Sequence, residues 1–360
     1  MEAGGSSSDS ASVAGDISFN TSPKYKVKFT KMHGCGNDFV VFELDKVRQL
    51  STNEYVRDWS VQQLSDLSKA LANRKLGIGC DQVIIVNSKP NNTDTDYEML
   101  IFNSDGEQAT MCGNGVRCFS KYIIDNQIQS QTKNTSNEIQ NIETLAGVIK
   151  TFPQLDHPLN TSNTTLIKVN MGNAMVLNTK QTVNAIARNE INLSTTDRSL
   201  YVYNIEIDHP TVNRLECVLV SMGNPHCVVF IERNQELGNI SGGNYSGARL
   251  ALMEIESIAM ALQKHPLFAD SCNVEFVTTA SGKPNKVLSR VYERGSGETL
   301  ACGTGACGVA VASILQGHCN ADSEVFVEMP GGLLLISWKG HNQVFKTGPA
   351  CTVFSSTIEL

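Results

Sequence analysis

One stretch of this chain is written twice. Ile101 to Gly115 (IFNSDGEQATMCGNG) lies over Val291 to Gly305 (VYERGSGETLACGTG) without a gap, and Cys112 then falls on Cys302. In both copies an aromatic residue stands ten positions before the cysteine and a polar residue nine before: Phe102 and Asn103 in the first, Tyr292 and Glu293 in the second. A Gly-containing turn separates this strand-like start from the thiol. The copies are more than half the chain apart, too far for a solenoid repeat, which leaves two duplicated domains of one design. Any fold for this chain must deliver one cysteine from each half in the same local setting.

The length of 360 residues accommodates two such domains. Lysines and arginines number 29 against 36 acids, a net charge of −7 with no block of like charge, which argues against a nucleic-acid partner. The most apolar runs, Val309 to Leu315 and Leu333 to Trp338, are too short to span a membrane. Eleven cysteines, an odd number, in a long chain without a signal peptide read as reduced thiols in a cytoplasmic setting. Residues 1–23 are mostly Gly, Ser, Ala and Asp, without an apolar stretch or an arginine, and read as a disordered tail.

Strand-like alternation starts at Tyr25 to Phe29 and resumes at Phe39 to Phe42 after a Gly-rich turn. A helix is expected over 59–72, with Val61, Leu64, Leu67 and Leu71 on one face, then strands at Val83 to Val86 and Tyr97 to Phe102. The polar stretches 126–141, 153–164 and 233–247 read as surface insertions without chemistry. Three strands are expected late in the chain, at 324–329, 333–338 and 343–347.

After Cys112, Val116, Phe119, Tyr122 and Ile123 share a helical face, whereas the run after Cys302 is small and apolar all round, which predicts a helix buried within its domain. Both cysteines would then stand at helix N-termini. The free N–H groups and the dipole there are expected to lower a thiol's pKa from about 8.5 and to offer an anion site beside it. Two such thiols on opposite faces of one carbon form a racemase: one removes an α-proton as thiolate, the other returns one as thiol. This needs no pyridoxal phosphate or other cofactor. The remaining cysteines (Cys35, Cys80, Cys118, Cys217, Cys227, Cys272, Cys307, Cys319 and Cys351) read as small buried hydrophobes. No C-x-x-C pair supports a metal site. Gly303, Gly305 and Gly308 match a dinucleotide fingerprint, but too little chain follows to build a Rossmann domain.

The chain resembles the diaminopimelate epimerases, which interconvert LL- and meso-diaminopimelate on the route to lysine. The resemblance runs from about Tyr25 to near the end. It rests on KMHGCGNDFVVFE (Lys31 to Glu43), GIGCDQ (Gly77 to Gln82), FNSDG (Phe102 to Gly106), MCGNGVRC (Met111 to Cys118), SMGNPH (Ser221 to His226), NVEFV (Asn273 to Val277), YERGSGETLACGTG (Tyr292 to Gly305) and PGG (Pro330 to Gly332).

That resemblance implies that Cys112 and Cys302 are the acid and base, Cys112 donating and Cys302 accepting from LL to meso. His226 and Glu293 would stand near the reacting amino group. Gly113, Asn114, Gly303 and Thr304 would hold the reacting carboxylate. Arg294, Asn103, Asn224 and Asn273 would hold the distal end, with Asn37 and Gln82 as further contacts. Cys80 and Cys272 depart from the family, which commonly has an aromatic residue and a threonine there.

The implied fold is α+β, with two pseudo-symmetric domains, each a curved mixed sheet around a central helix and the site between them. The expected division is 24–165 and 166–342, with a returning strand at 343–360 that joins the N-terminal domain. The partner implied is a small-molecule substrate, and the usual assembly is a homodimer. Racemases of proline, hydroxyproline or histidine with the same fold are the alternative.

Overall fold

The computed structural model describes residues 24–130, 138–176, 198–238, 246–340 and 342–360. The tail expected at 1–23 lies outside these, as do parts of the insertions expected at 126–141 and 233–247. The first half runs β1 (Tyr25–Gly34), β2 (Asn37–Glu43), β3 (Arg48–Gln49), α1 (Val61–Ala72), β4 (Gln82–Asn87), β5 (Tyr97–Asn103), β6 (Gln108–Ala109), α2 (Gly115–Asp125), β7 (Gln140–Thr144), β8 (Gly147–Pro153) and β9 (Thr164–Asn170). The second continues with β10 (Met175–Val176), β11 (Tyr203–Glu206), β12 (Arg214–Ser221), β13 (Pro225–Phe230), α3 (Gln235–Gly238), α4 (Ser246–Leu252), α5 (Glu256–Gln263) and β14 (Asn273–Thr279). It ends with β15 (Lys286–Glu293), β16 (Gly297–Thr299), α6 (Gly303–Leu315), β17 (Val325–Met329), β18 (Gly332–Ser337) and β19 (Phe345–Glu359).

The repeated motif sits in a repeated topology. In the first half β1–β2 pair antiparallel, β2–β4 parallel, β4–β5 antiparallel, β5–β7 parallel and β7–β8 antiparallel. In the second, β12–β13, β13–β14, β14–β15, β15–β17 and β17–β18 follow the same alternation. Each half thus curls into a mixed sheet. β19 closes the first ring by pairing with β9 through Phe345 to Cys351 and with β1 through its later residues. The second ring closes through β18–β19, the backbone bonds between Met171, Gly172 and Val344, and β10–β12.

A helix fills each ring. Along α6 every residue but Thr304 is buried, because its side chains are small enough for strands to approach on all sides. α2 is buried from Gly115 to Ile123. α1 and α5 cover the outer faces through separate apolar clusters. α1 starts where Ser60 and Gln63 form a capping box, one residue into the span that periodicity marks.

Three expectations need correction. The strand expected at 343–347 does not end there: β19 runs on through Gly348-Pro349 to Glu359. Pro349 has no N–H to leave unpaired, and its carbonyl accepts from Arg117 Nε. Gln140 is buried at the start of β7 rather than in a surface insertion. Asn234 is also buried, because its amide donates to the carbonyls of Glu216 and Phe230.

Candidate active site

The two cysteines make the same pair of bonds. Cys112 Sγ accepts from Gly115 N at 3.4 Å while its carbonyl accepts from Val116 N. Cys302 Sγ accepts from Gly305 N at 3.4 Å while its carbonyl accepts from Ala306 N. Cys302 is the N-cap of α6, and Cys112 lies one turn ahead of α2, whose N-cap is Asn114.

The N-termini of α2 and α6 converge. A Cβ added at either Gly113 or Gly303 would run into the same atom, Lys346 Nζ, and one at Gly303 would also touch Asn114 Oδ1 at 3.5 Å. A side chain at either position would have to displace that ammonium, and the two motifs meet across the join between the halves.

On the first side Asn37 Oδ1 lies 3.5 Å from both Cys112 Sγ and Asn114 Nδ2. Its orientation is set by Asp81, which accepts from Asn37 Nδ2 at 2.9 Å. Gln82 Nε2 donates to Asn103 Oδ1 at 2.8 Å, which leaves Gln82 Oε1 buried without a partner among the described residues.

On the second side a hydrogen-bonded chain leads to the thiol. Glu275 Oε1 lies 2.6 Å from His226 Nδ1, His226 Nε2 lies 3.1 Å from Asn224 Oδ1, and Asn224 Nδ2 donates to Thr304 Oγ1 at 3.3 Å. Thr304 Oγ1 then lies 3.5 Å from Cys302 Sγ. Glu293, at the end of β15, accepts from Thr299 Oγ1. Asn273 Oδ1 accepts from Arg294 N, while the exposed Arg294 donates through Nη1 to the carbonyl of Asp270. The geometry brings Asn224, His226, Cys302 and Thr304 into one network, and Arg294 stands outside it.

The expectation of lowered thiol pKa values does not hold as stated. Burial pushes Cys112 up, and the N–H groups of Gly115 and Asn114 with the charges of Lys346 and Arg117 offset only part of this. Cys302 is held well above the usual range, by burial first and then by Glu293 and Glu275, against bonds from Thr304 and Gly305. The helix termini act in the expected direction, but burial outweighs them. Cations face Cys112 and carboxylates face Cys302, so the two thiols differ in how readily they ionise.

A family model described as diaminopimelate epimerase matches residues 29–177 and 218–353. The diaminopimelate epimerase of Desulfitobacterium hafniense is 36% identical over 332 residues, covering 92% of this chain and 98% of that protein. The chain belongs to the diaminopimelate epimerase family. The diaminopimelate epimerase of Nostoc punctiforme is 35% identical, with 92% of this chain and 99% of that one covered. Among solved structures, a hydroxyproline epimerase from Agrobacterium vitis matches with a TM-score of 0.55 at 14% identity, over 93% of each chain. A phenazine biosynthesis protein of Bacillus anthracis matches with a TM-score of 0.57 at 13% identity, over 93% of this chain and 99% of that one. These structures share the two-halved epimerase fold.

Within this diaminopimelate epimerase family member, sequence reading passes over three charged groups at the site: Glu275, Arg117 and Lys346. All three are buried. The available signal was a charged residue inside an otherwise apolar strand, as for Glu275 among Val274, Phe276 and Val277. Of the cysteines read as inert, eight are buried and Cys351 is not. Burial alone would raise Cys351, but hydrogen bonds with His33 and Thr164 outweigh it and bring the thiol below its usual value. No group of three or more His, Cys, Asp or Glu among the described residues is arranged to hold a metal ion. No helix among them is long and apolar enough to cross a membrane.

Proposed function

We propose that this chain interconverts LL- and meso-2,6-diaminopimelate by proton transfer at the α-carbon between Cys112 and Cys302, serving lysine biosynthesis. The observation that carries the reading is the convergence of two identically bonded cysteines on one point, at helix N-termini from opposite halves. The relatives' names supply the substrate.

The reacting carboxylate sits between α2 and α6, against the N–H groups of Gly113, Asn114, Gly303 and Thr304. Negative charge that develops there as the α-proton leaves is stabilised by fixed donors, each worth about 2.7 to 4 kcal/mol. One thiolate takes the α-proton, the other thiol gives its proton to the opposite face, and the protonation states of the pair are exchanged. Glu293 receives the α-ammonium, and His226 stands near it, holding Asn224 in place. Burial first and then the Glu293 charge raise the Cys302 thiol; the ammonium offsets the second, so substrate binding itself favours Cys302 as the base on the LL isomer. Asn103, Asn224, Asn273 and Arg294 hold the distal amino-acid end, with Asn37 and Gln82 as further contacts, and the buried Gln82 Oε1 is an acceptor left to be filled.

We place the enzyme in the cytoplasm as a homodimer, divided at 24–165 with the returning strand 343–360, and 166–342. Exposed Val353 and Phe354 on β19 provide apolar surface for such a contact, which sedimentation of the purified chain would test. The function is tested by supplying LL-diaminopimelate, proline, hydroxyproline and histidine in parallel without added cofactor. Conversion of diaminopimelate alone supports the reading, and conversion of a cyclic amino acid instead overturns it.

A further inference from the structure

Lys346 is fully buried, and its ammonium has no hydrogen-bond partner among the described residues. Its position on β19 is pinned on both sides, opposite Ile336 of β18 and Val169 of β9, where the two rings share strands. Nζ lies at the point where Gly113 and Gly303 come together.

The groups that face it are Arg117 on α2, Cys112 ahead of that helix, Cys302 and Cys307 at the start of α6, and Cys35 from the β1–β2 turn. Arg117 is equally buried, and it donates to the carbonyls of Pro349 and Gly113, to Asn114 Oδ1 and to Cys35 Sγ. Two cations therefore share a buried position with no carboxylate of the described residues paired to either. Arg117 spends its donors on fixed acceptors of the protein, whereas Lys346 spends none. A buried, unpaired ammonium is strongly disfavoured unless an anion joins it.

We propose that Lys346 is a substrate-binding residue whose ammonium pairs with the reacting carboxylate seated between the N-termini of α2 and α6. This deepens the epimerase reading and rests on it for the identity of the carboxylate. Backbone N–H groups alone would bind an anion by partial charges, and Lys346 adds a full counter-charge from a fully buried position.

The test replaces Lys346 by Met, which keeps the length without the charge, and by Gln as a second variant, with folding checked by circular dichroism. The KM for LL-diaminopimelate should rise roughly ten- to a hundredfold, the usual worth of a charged hydrogen bond. An arm independent of turnover uses propionate, a bare carboxylate, to slow iodoacetamide alkylation of Cys112, followed by peptide mapping. Half-protection should need roughly tenfold more propionate in Lys346→Met. A third arm follows [13Cε]lysine-labelled protein: the resonance that Lys346→Met removes should move its titration midpoint up on adding propionate.

Unchanged KM and unchanged protection in a folded variant would overturn the proposal, as would a lysine midpoint that ignores propionate. Lys346-dependent protection in a chain that does not turn over diaminopimelate would instead overturn the substrate and leave the carboxylate contact standing.

Discussion

His226 Nδ1 lies 2.6 Å from a Glu275 oxygen, and neither side chain has any solvent-exposed surface. The pair fixes the imidazole so that Nε2 meets Asn224, which in turn is tied to Thr304 beside the Cys302 thiol. Removing one member strands the other in the core. Glu275→Ala should lower the unfolding free energy by about 3 to 5 kcal/mol, and the His226→Ala/Glu275→Ala double variant should lose much less than the sum of the singles. Urea unfolding of the four proteins measures this. Additive losses would show that the two residues act separately.

Glu293 raises Cys302 by its charge, after burial. Neutralising it removes a negative neighbour, so the thiol should ionise at lower pH. In Glu293→Gln the pH midpoint for iodoacetamide alkylation of Cys302 should fall, with that of Cys112 nearly unmoved. Turnover should fall as well, since the α-ammonium loses its partner. A Cys302 midpoint that stays put would remove Glu293 from the control of this thiol.

Much of this arrangement is visible in the sequence, and the reason is local. The echo around Cys112 and Cys302, the apolar run after Cys302 and the alternation in β1, β2, β4 and β5 are short-range patterns, and the structure returns them as two helices inside two rings of matching topology. What stays hidden depends on distant chain. Lys346 looks like one more lysine in a strand until β9 and β18 enclose it. Glu275 acquires its role only because β13 lies parallel beside β14 and brings His226 alongside. The net acidity of the thiols is hidden for a related reason: helix termini can be read from a motif, whereas burial is a property of the assembled fold.

Lys346 should cost stability where it serves binding. Burial, then the charge of Arg117, pushes its pKa from 10.5 down to about 8. The unfolded chain therefore binds more protons between those values, and wild-type stability carries a penalty of about 3 kcal/mol below pH 8 that fades as pH rises toward 10.5. Lys346→Met should be the more stable protein at pH 7 by an amount of that order, and its advantage should shrink by pH 10. Paired urea titrations at both pH values measure the difference. A variant less stable than wild type at pH 7 would mean that the ammonium is paired in the folded chain.

The buried thiols impose the opposite trend. Burial pushes Cys80 and Cys307 up to about 11 from 9.0. A raised acid contributes stability that is complete below the unfolded value and is lost as pH climbs through the folded one. Each contributes on the order of 2 kcal/mol, and together with other buried cysteines they outweigh Lys346. The urea midpoint of wild-type protein should fall steeply between pH 9 and 11, and Cys307→Ala should flatten that slope. A slope unaffected by removing Cys307 would assign the alkaline loss to other groups.

The central claim is that one thiol takes the α-proton while the other supplies its replacement. Its most direct test is early turnover of LL-diaminopimelate in deuterated water without pyridoxal phosphate, with deuterium followed separately in substrate and product. The account predicts meso product carrying α-deuterium, remaining LL substrate still carrying hydrogen, and no inversion in Cys112→Ala or Cys302→Ala. Deuterium entering the remaining substrate as fast as the product, or inversion surviving the loss of either cysteine, would contradict it.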